Sequence, residues 1–167
     1  MLIGHLPAGY FLTRALIKKY KIPLTPLWLG LGLIASVIPD FDHIFNILFQ
    51  NNIFNHRLLL THIPFTYVII LIISLIVYKI KKWTWLKWGM IIILPNIFLH
   101  LILDTLFVGI EWLWPFYPKL IGIYNVNITE GIIVPNYYHH WYWYLEIIFW
   151  IIAIIAVIKS YKKGELN

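Results

Sequence analysis

The sequence predicts an all-α fold: a polytopic integral membrane bundle of about five membrane-embedded helices, forming one domain over residues 1–167. Of these residues, 61% are hydrophobic and only 12% are charged, about half the charged fraction of an average soluble domain. Long uncharged segments recur along the chain, and basic residues cluster at their ends. The chain contains no cysteine. This excludes disulfides and thiolate ligands, so any metal ion must be held by nitrogen and oxygen atoms.

Five apolar segments are expected to lie in the membrane. They are residues 2–17, 22–39, 58–78, 88–110 and 141–158. The first would be roughly 24 Å long as a helix, which suits a short or an interfacial helix. In the second, Gly30 and Gly32 are small enough to allow close contact with a neighbouring helix. A polar connection follows the second segment, and a long aromatic one precedes the last.

The basic residues predict how the bundle is oriented. With five spans, all of the 13 basic residues except Arg57 and Lys119 fall on one side. The positive-inside rule makes that side cytoplasmic, with the N-terminus outside and the C-terminus inside a multi-pass inner membrane protein. Orientation in a lipid bilayer then explains the net charge of +6, and no nucleic-acid partner is expected. The same topology places every histidine and every aspartate near the extracytoplasmic face.

Two of the three aspartates lie in one short stretch, Pro39-Asp40-Phe41-Asp42-His43. Asp40, Asp42 and His43 offer three potential ligands in four residues. Carboxylate oxygen and neutral imidazole are the donors that Zn, Mn and Fe sites use. The alternative is a polar helix cap formed by Asp40, which accounts for one aspartate but less readily for the whole group.

The third aspartate, Asp104, follows His100 by four residues near the end of an apolar segment. Side chains at this spacing lie on one face of a helix and can bind one ion. A carboxylate at mid-helix in a bilayer costs about 2.5–3.5 kcal/mol unless it is compensated, and a divalent cation would compensate it. A hydrogen bond between His100 and Asp104 is an equally good alternative.

Four further residues are candidates for the same site. His62 begins a span and could be a ligand, whereas His56 could equally be an ordinary loop residue. Arg57 could bind a substrate phosphate through its planar guanidinium group, or pair with an aspartate. His5 could be a ligand or an interfacial histidine.

Several short motifs occur in a characteristic order. They are His5, Pro39–His43, His56-Arg57, Thr61-His62, His100–Asp104 and Trp114-Pro115-Phe116. In combination they resemble the YdjM/YbcI-type family of predicted membrane-bound metal-dependent hydrolases, over roughly residues 1–120. The resemblance implies such a hydrolase in a prokaryotic membrane, without indicating its substrate. Carried over motif by motif, it assigns the site to Asp40, Asp42, His43, His62, His100 and Asp104, with His5, His56 and Arg57 in support.

We therefore expect a metal-dependent hydrolase at the extracytoplasmic membrane face. The expected ligands are His5, Asp40, Asp42, His43, His62, His100 and Asp104. The expected catalytic residues are Asp42, His56 and Arg57. Asp42 would bridge two ions or act as general base, and Arg57 would neutralise a phosphoester or carboxylate. One or two divalent ions are expected, and the predicted ligands suit Zn, Mn and Fe equally.

The substrate is expected to be a small molecule or a lipid, with a lipid phosphoester first, because the aromatic run at 112–117 suits the headgroup region. Two other readings remain open. One is a metal-binding or transport membrane protein without hydrolytic activity. The other is a structural bundle in which the aspartates and histidines only pair with one another and bind no metal.

Overall fold

The computed structural model describes residues 3–41, 60–107, 109–123 and 141–165. These residues confirm the all-α class. The helices are α1 (His5–Tyr20), α2 (Pro26–Ala35), α3 (Pro64–Lys81), α4 (Thr84–Phe107) and α5 (Trp141–Lys162). Two short 3₁₀ turns, Ile38–Asp40 and Leu60–His62, flank the segment between α2 and α3. The described residues form no β-strand, and two isolated antiparallel bridges lie in the connection after α4.

Three of the described helices are long and apolar enough to cross a membrane. These segments are Pro64–Lys81, Thr84–Leu106 and Trp143–Lys162. The expected number of about five spans is therefore more than the structure shows. Helix α1 has 16 residues, roughly 24 Å, which agrees with the short first helix that the sequence predicted.

Helix α2 departs most from the sequence prediction. It has ten residues instead of filling residues 22–39, and so it extends only about 15 Å. Its start is fixed by the Thr25 side chain, which accepts a hydrogen bond from the Trp28 N–H, and by Pro26 in the first turn. It ends four residues before Pro39, which disfavours α-helical backbone at Ile38, and Ile38 begins a 3₁₀ turn instead.

Helices α1, α2 and α4 pack against one another, with α3 on α4 and α5 on α1. Two glycines allow the close approach of α1 and α2. A Cβ on Gly9 would lie 2.4 Å from Ser36 Cβ, and one on Gly32 would lie 2.1 Å from Thr13 Oγ1. A Cβ on Gly30 would have no neighbouring side chain or helix of the described residues within 4 Å. Of the two glycines expected to permit helix contact, Gly32 does so and Gly30 does not.

The helices run so that the bundle has two chemically different ends. The site end carries His5, Asp40, His62, His100 and Asp104, which lie close together. The lysine end carries the basic residues that close α1, α3 and α5, namely Lys18, Lys19, Lys79, Lys81, Lys159 and Lys162. The described histidines and aspartates therefore share one end of the molecule, as the sequence predicted.

Candidate metal centre

Two prolines help to place the first two residues of the candidate site, because each lies where a helix or turn begins. Pro39 stands in the 3₁₀ turn that follows α2, and the next residue is Asp40. Pro64 begins α3 directly after the turn that ends in His62. Asp40 and His62 lie on either side of residues 42–59, yet Asp40 Oδ1 is 3.7 Å from His62 Nε2.

Helix α4 supplies the other two residues. His100 Nε2 lies 3.4 Å from Asp104 Oδ2, one turn further along the helix. The spacing of four residues therefore brings the two side chains together on one face, as predicted.

The four side chains converge on one point. Asp40, His62, His100 and Asp104 each offer one ligand atom, and these atoms lie within 4.8 Å of one another. His100 Nε2 is 3.5 Å from Asp40 Oδ1, and His62 Nε2 is 3.8 Å from Asp104 Oδ2. Ligand bonds of about 2.0–2.2 Å in a tetrahedral site would separate the ligand atoms by roughly 3.3–3.6 Å. The cluster is thus close to the size that a metal ion needs, and its two imidazoles and two carboxylates suit a divalent cation.

The orientation of His100 gives an independent indication of a cation. Its Nδ1 lies 2.8 Å from the carbonyl oxygen of Ser36. A carbonyl oxygen can only accept, so Nδ1 carries the hydrogen, and in neutral imidazole the lone pair is then on Nε2. Nε2 faces oxygens of Asp40 and Asp104, where a lone pair would be repelled by the carboxylates and a positive charge would be attracted. A proton on Nε2 would supply that charge at His100 alone, whereas a metal cation would also contact His62 and both carboxylates.

Three of the four candidate ligands are buried, and the fourth is partly exposed. The side chains of His62 and His100 are fully buried and that of Asp104 is 6% exposed, whereas that of Asp40 is 38% exposed. Burial raises the pKa of Asp40, but the nearby imidazoles of His62 and His100 lower it, and the net pKa lies below its ordinary value. Asp40 is therefore ionised at neutral pH and faces the opening.

His5 is a buried neighbour of the four ligand candidates. It is 2% exposed, and its Nε2 lies 3.2 Å from Asp104 Oδ1. Its ring stacks on that of His100, with 3.8 Å between the ring centroids. The structure therefore places His5 inside the bundle rather than at the membrane interface. It contacts the oxygen of Asp104 that the cluster does not use, and its role as a ligand stays a prediction.

Four predicted site residues lie outside the described residues. They are Asp42, His43, His56 and Arg57. Their predicted roles as ligand, base or substrate contact therefore remain predictions.

Sequence reasoning missed the polar groups that support the site from within the bundle. The Ser36 carbonyl is a backbone group and leaves no signal in the residue type. One helical turn before His100, Asn96 is fully buried and donates to Thr13 Oγ1 at 3.0 Å and to the Ile92 carbonyl at 2.8 Å. The available signal was the presence of single polar residues within apolar segments.

The aromatic connection after α4 packs against the site end. Ile110 and Ile121 form an antiparallel bridge, and the indole N–H of Trp112 donates to Thr105 Oγ1 at 2.7 Å. The tip is apolar and open to the surroundings, with Phe116 87% exposed. The connection therefore lies at the same end of the bundle as the candidate metal centre.

A protein-family model described as YdjM inner membrane protein matches residues 1–166. Comparison with curated proteins and with solved structures gives no match. The family match extends the motif resemblance from roughly the first 120 residues to nearly the whole chain. Together with three apolar helices long enough to span, it places the protein in the inner membrane. The chain therefore belongs to the YdjM inner membrane protein family.

Proposed function

We propose that this protein is a membrane-bound, metal-dependent hydrolase whose site lies at the extracytoplasmic face and acts on a phosphoester or lipid-like substrate. One observation supports this most strongly. The Ser36 carbonyl orients His100 so that its Nε2 faces two carboxylates and joins a group of four ligand atoms within 4.8 Å of one another. A single His–Asp hydrogen bond would account for one pair, but not for two histidines and two aspartates that converge on one point.

Asp40, His62, His100 and Asp104 would hold the ion. A divalent ion bound there would supply Lewis-acid catalysis and lower the pKa of water to near neutrality. The protein's own groups have distinct tasks. Ser36 fixes the tautomer of His100, and His5 holds the second oxygen of Asp104. Asp40 lines the opening, where a reacting water and a substrate can enter.

We expect the remaining catalytic groups to come from the segment between Asp40 and His62. It contains Asp42, His56 and Arg57, and the residues on either side of it meet at the site. Within this proposal Asp42 acts as general base or as a bridging ligand, and Arg57 neutralises the negative charge of a phosphoester.

Two features favour a lipid-like substrate. The candidate site lies at an end of the bundle, where lipid headgroups are found. The connection that carries the exposed Phe116 lies at the same end of the bundle. Aromatic side chains favour this interfacial region of a bilayer.

The test is the metal content of the purified protein, measured with and without chelator. Asp104→Asn keeps the shape of the side chain but removes the charge that offsets a divalent ion, so we expect loss of metal while the protein still inserts. Glu111→Gln is the matched control, because Glu111 is a buried acid in the connection after α4 that does not belong to the cluster. The control should retain the wild-type metal content.

Hydrolysis is tested separately on soluble phosphoesters and on phospholipids. Activity should require metal and should be lost in Asp104→Asn but kept in Glu111→Gln. Wild-type protein without bound metal, and with a thermal stability unchanged by chelator, would contradict the metal centre. Bound metal without hydrolysis of either substrate class would favour the second candidate.

That second candidate is a metal-binding or transport protein without hydrolytic activity. It is favoured by the buried polar contact between Asn96 and Thr13, which lies one helical turn from His100 towards the middle of the bundle, beside Pro95 within α4. Transporters commonly place their sites near the bilayer midplane on broken helices. Because the four ligand candidates lie instead at helix ends, hydrolysis is preferred. Uptake of metal ions into liposomes that contain the protein would identify it as a transporter.

A further inference from the structure

The lysine end of the bundle contains a cavity, remote from the candidate metal centre. It has a volume of about 640 Å³ and is lined by the last turns of α1, the residues after it and the C-terminal segment. Three of its lining residues are basic, Arg14, Lys18 and Lys21, and one is acidic, Glu165. The cavity therefore carries a net positive charge.

Arg14 has unused binding capacity in this cavity. Its Nη2 donates to Glu165 Oε2 at 2.5 Å. Its Nη1 is buried and has no hydrogen-bond partner among the residues that the structure describes. A buried N–H of a charged group is costly when unpaired. The guanidinium group presents its donors as a planar fork that matches the oxygens of a phosphate.

The remaining wall of the cavity is apolar, with Ala15 and Leu24 beside the basic residues and the buried Ile17 and Ile22 behind them. A free anion would gain nothing from these side chains, whereas the glycerol and upper acyl region of a lipid would bury apolar surface against them. Basic pockets between membrane helices on the positive side commonly receive anionic headgroups.

We propose that this cavity binds the phosphate group of an anionic phospholipid, with Arg14 as its principal contact. Glu165 accepts a hydrogen bond from the same guanidinium group, so its carboxylate competes with the phosphate for Arg14. Its side chain is partly exposed, and the hydrogen bond from Arg14 holds its pKa below the ordinary value, so Glu165 is ionised at neutral pH. This site is independent of the proposed hydrolase function, because it lies at the other end of the bundle and requires no metal.

The experiment is native mass spectrometry of the full-length protein in detergent with added phosphatidylglycerol, with phosphatidylcholine as the zwitterionic comparison. Phosphatidylglycerol should be retained preferentially. Arg14→Gln should weaken this binding about tenfold or more, the loss expected for hydrogen bonds to a charged group. Lys81→Gln is the matched control, because Lys81 lies at the same end but does not line the cavity. It should bind as the wild type does.

Glu165→Gln distinguishes a ligand site from a purely structural ion pair. It removes the competitor and leaves Arg14 in place, so binding of phosphatidylglycerol should become tighter. If the pair only fastens the C-terminal segment to α1, Glu165→Gln and Arg14→Gln should change binding in the same direction, which would overturn the proposal. Equal retention of the two lipids by the wild type would also overturn it.

Inorganic phosphate separates the two possible sources of the phosphate group. At millimolar concentration it should displace little phosphatidylglycerol, because it cannot use the apolar wall. Full displacement, together with stabilisation of the wild type but not of Arg14→Gln, would contradict the lipid assignment in favour of a soluble phosphate.

Discussion

His100 combines a feature that the sequence predicts with one that it does not. Its spacing from Asp104 places the two side chains on one helical face, and this could be read directly from the chain. Its tautomer depends on the Ser36 carbonyl, 64 positions away in sequence, and any residue type could have supplied that group. The pairing of His100 with Asp104 is therefore predictable from the sequence, whereas the group that orients His100 depends on tertiary packing.

His5 gives a direct test of the difference between ligand and support. It contacts Asp104 Oδ1 but is not among the four converging ligands. Losing a supporting contact of this kind typically costs 10–100-fold in metal affinity. We therefore expect His5→Gln to bind metal about 10–100-fold more weakly but at unchanged stoichiometry.

His62→Ala, which removes a ligand, should abolish stoichiometric metal binding under the same conditions. Metal titration of the two purified variants, followed by calorimetry, makes the comparison. Equal and complete loss in both variants would mean that His5 is itself a ligand.

At the scale of the helices, the apolar segments predicted the existence of helices better than their ends. The uncharged run at 22–39 suggested one long helix, but α2 ends at Ala35. Hydropathy reports the environment of a segment, while proline and local side-chain hydrogen bonds decide where its backbone is helical. The segment is apolar throughout, yet only ten of its residues form an α-helix.

The contact between α1 and the end of α2 should control the candidate site from a distance. A Cβ on Gly9 would meet Ser36 Cβ at 2.4 Å, so Gly9→Ala has to displace Ser36 and with it the carbonyl that orients His100. Overpacking of this kind typically costs about 1–3 kcal/mol of stability. We expect Gly9→Ala to lower metal affinity about tenfold or more.

Two variants make this prediction specific. Gly30→Ala is the matched control, since a Cβ added there would have no neighbouring side chain or helix of the described residues within 4 Å. It should leave metal affinity unchanged. Adding Ser36→Gly to Gly9→Ala removes the clashing side chain but keeps the carbonyl, and should restore affinity. A double variant that inserts normally but stays impaired would argue against this route to His100.

At the scale of the whole molecule, charge patterning correctly separated the two ends of the bundle. The positions of the lysines predicted that the histidines and aspartates would share the other end, and the five described ones do so. The fold class and the ends were thus accessible from the sequence. The number of crossings was not, because α1 and α2 are shorter than a typical span.

The proposed topology has the N-terminus outside and the turn between α3 and α4 inside. The chain contains no cysteine, so single cysteines at positions 52 and 84 can be labelled individually in intact cells with a membrane-impermeant thiol reagent. We expect labelling at 52 and not at 84. The reverse pattern would place the candidate metal centre in the cytoplasm.

The shortness of α2 has a consequence for the surrounding lipid. Ten α-helical residues and the 3₁₀ turn after them place Asp40 at most about 25 Å from the start of α2, less than the roughly 30 Å of a typical hydrocarbon core. Asp40 is partly exposed, and the neighbouring α1, which runs from His5 at the site end to the lysine end, extends only roughly 24 Å. Because both helices are short, we expect the bilayer beside α1 and α2 to thin. Such hydrophobic mismatch costs fractions of a kcal/mol for each ångström.

The protein should therefore be more stable in short-chain than in long-chain phosphatidylcholine nanodiscs, as measured by thermal unfolding. Stability that rises steadily with acyl-chain length would contradict this expectation. The thinned annulus would also bring lipid ester and phosphate groups down to the level of Asp40, so a membrane-derived substrate would have only a short distance to travel to reach the metal ligands.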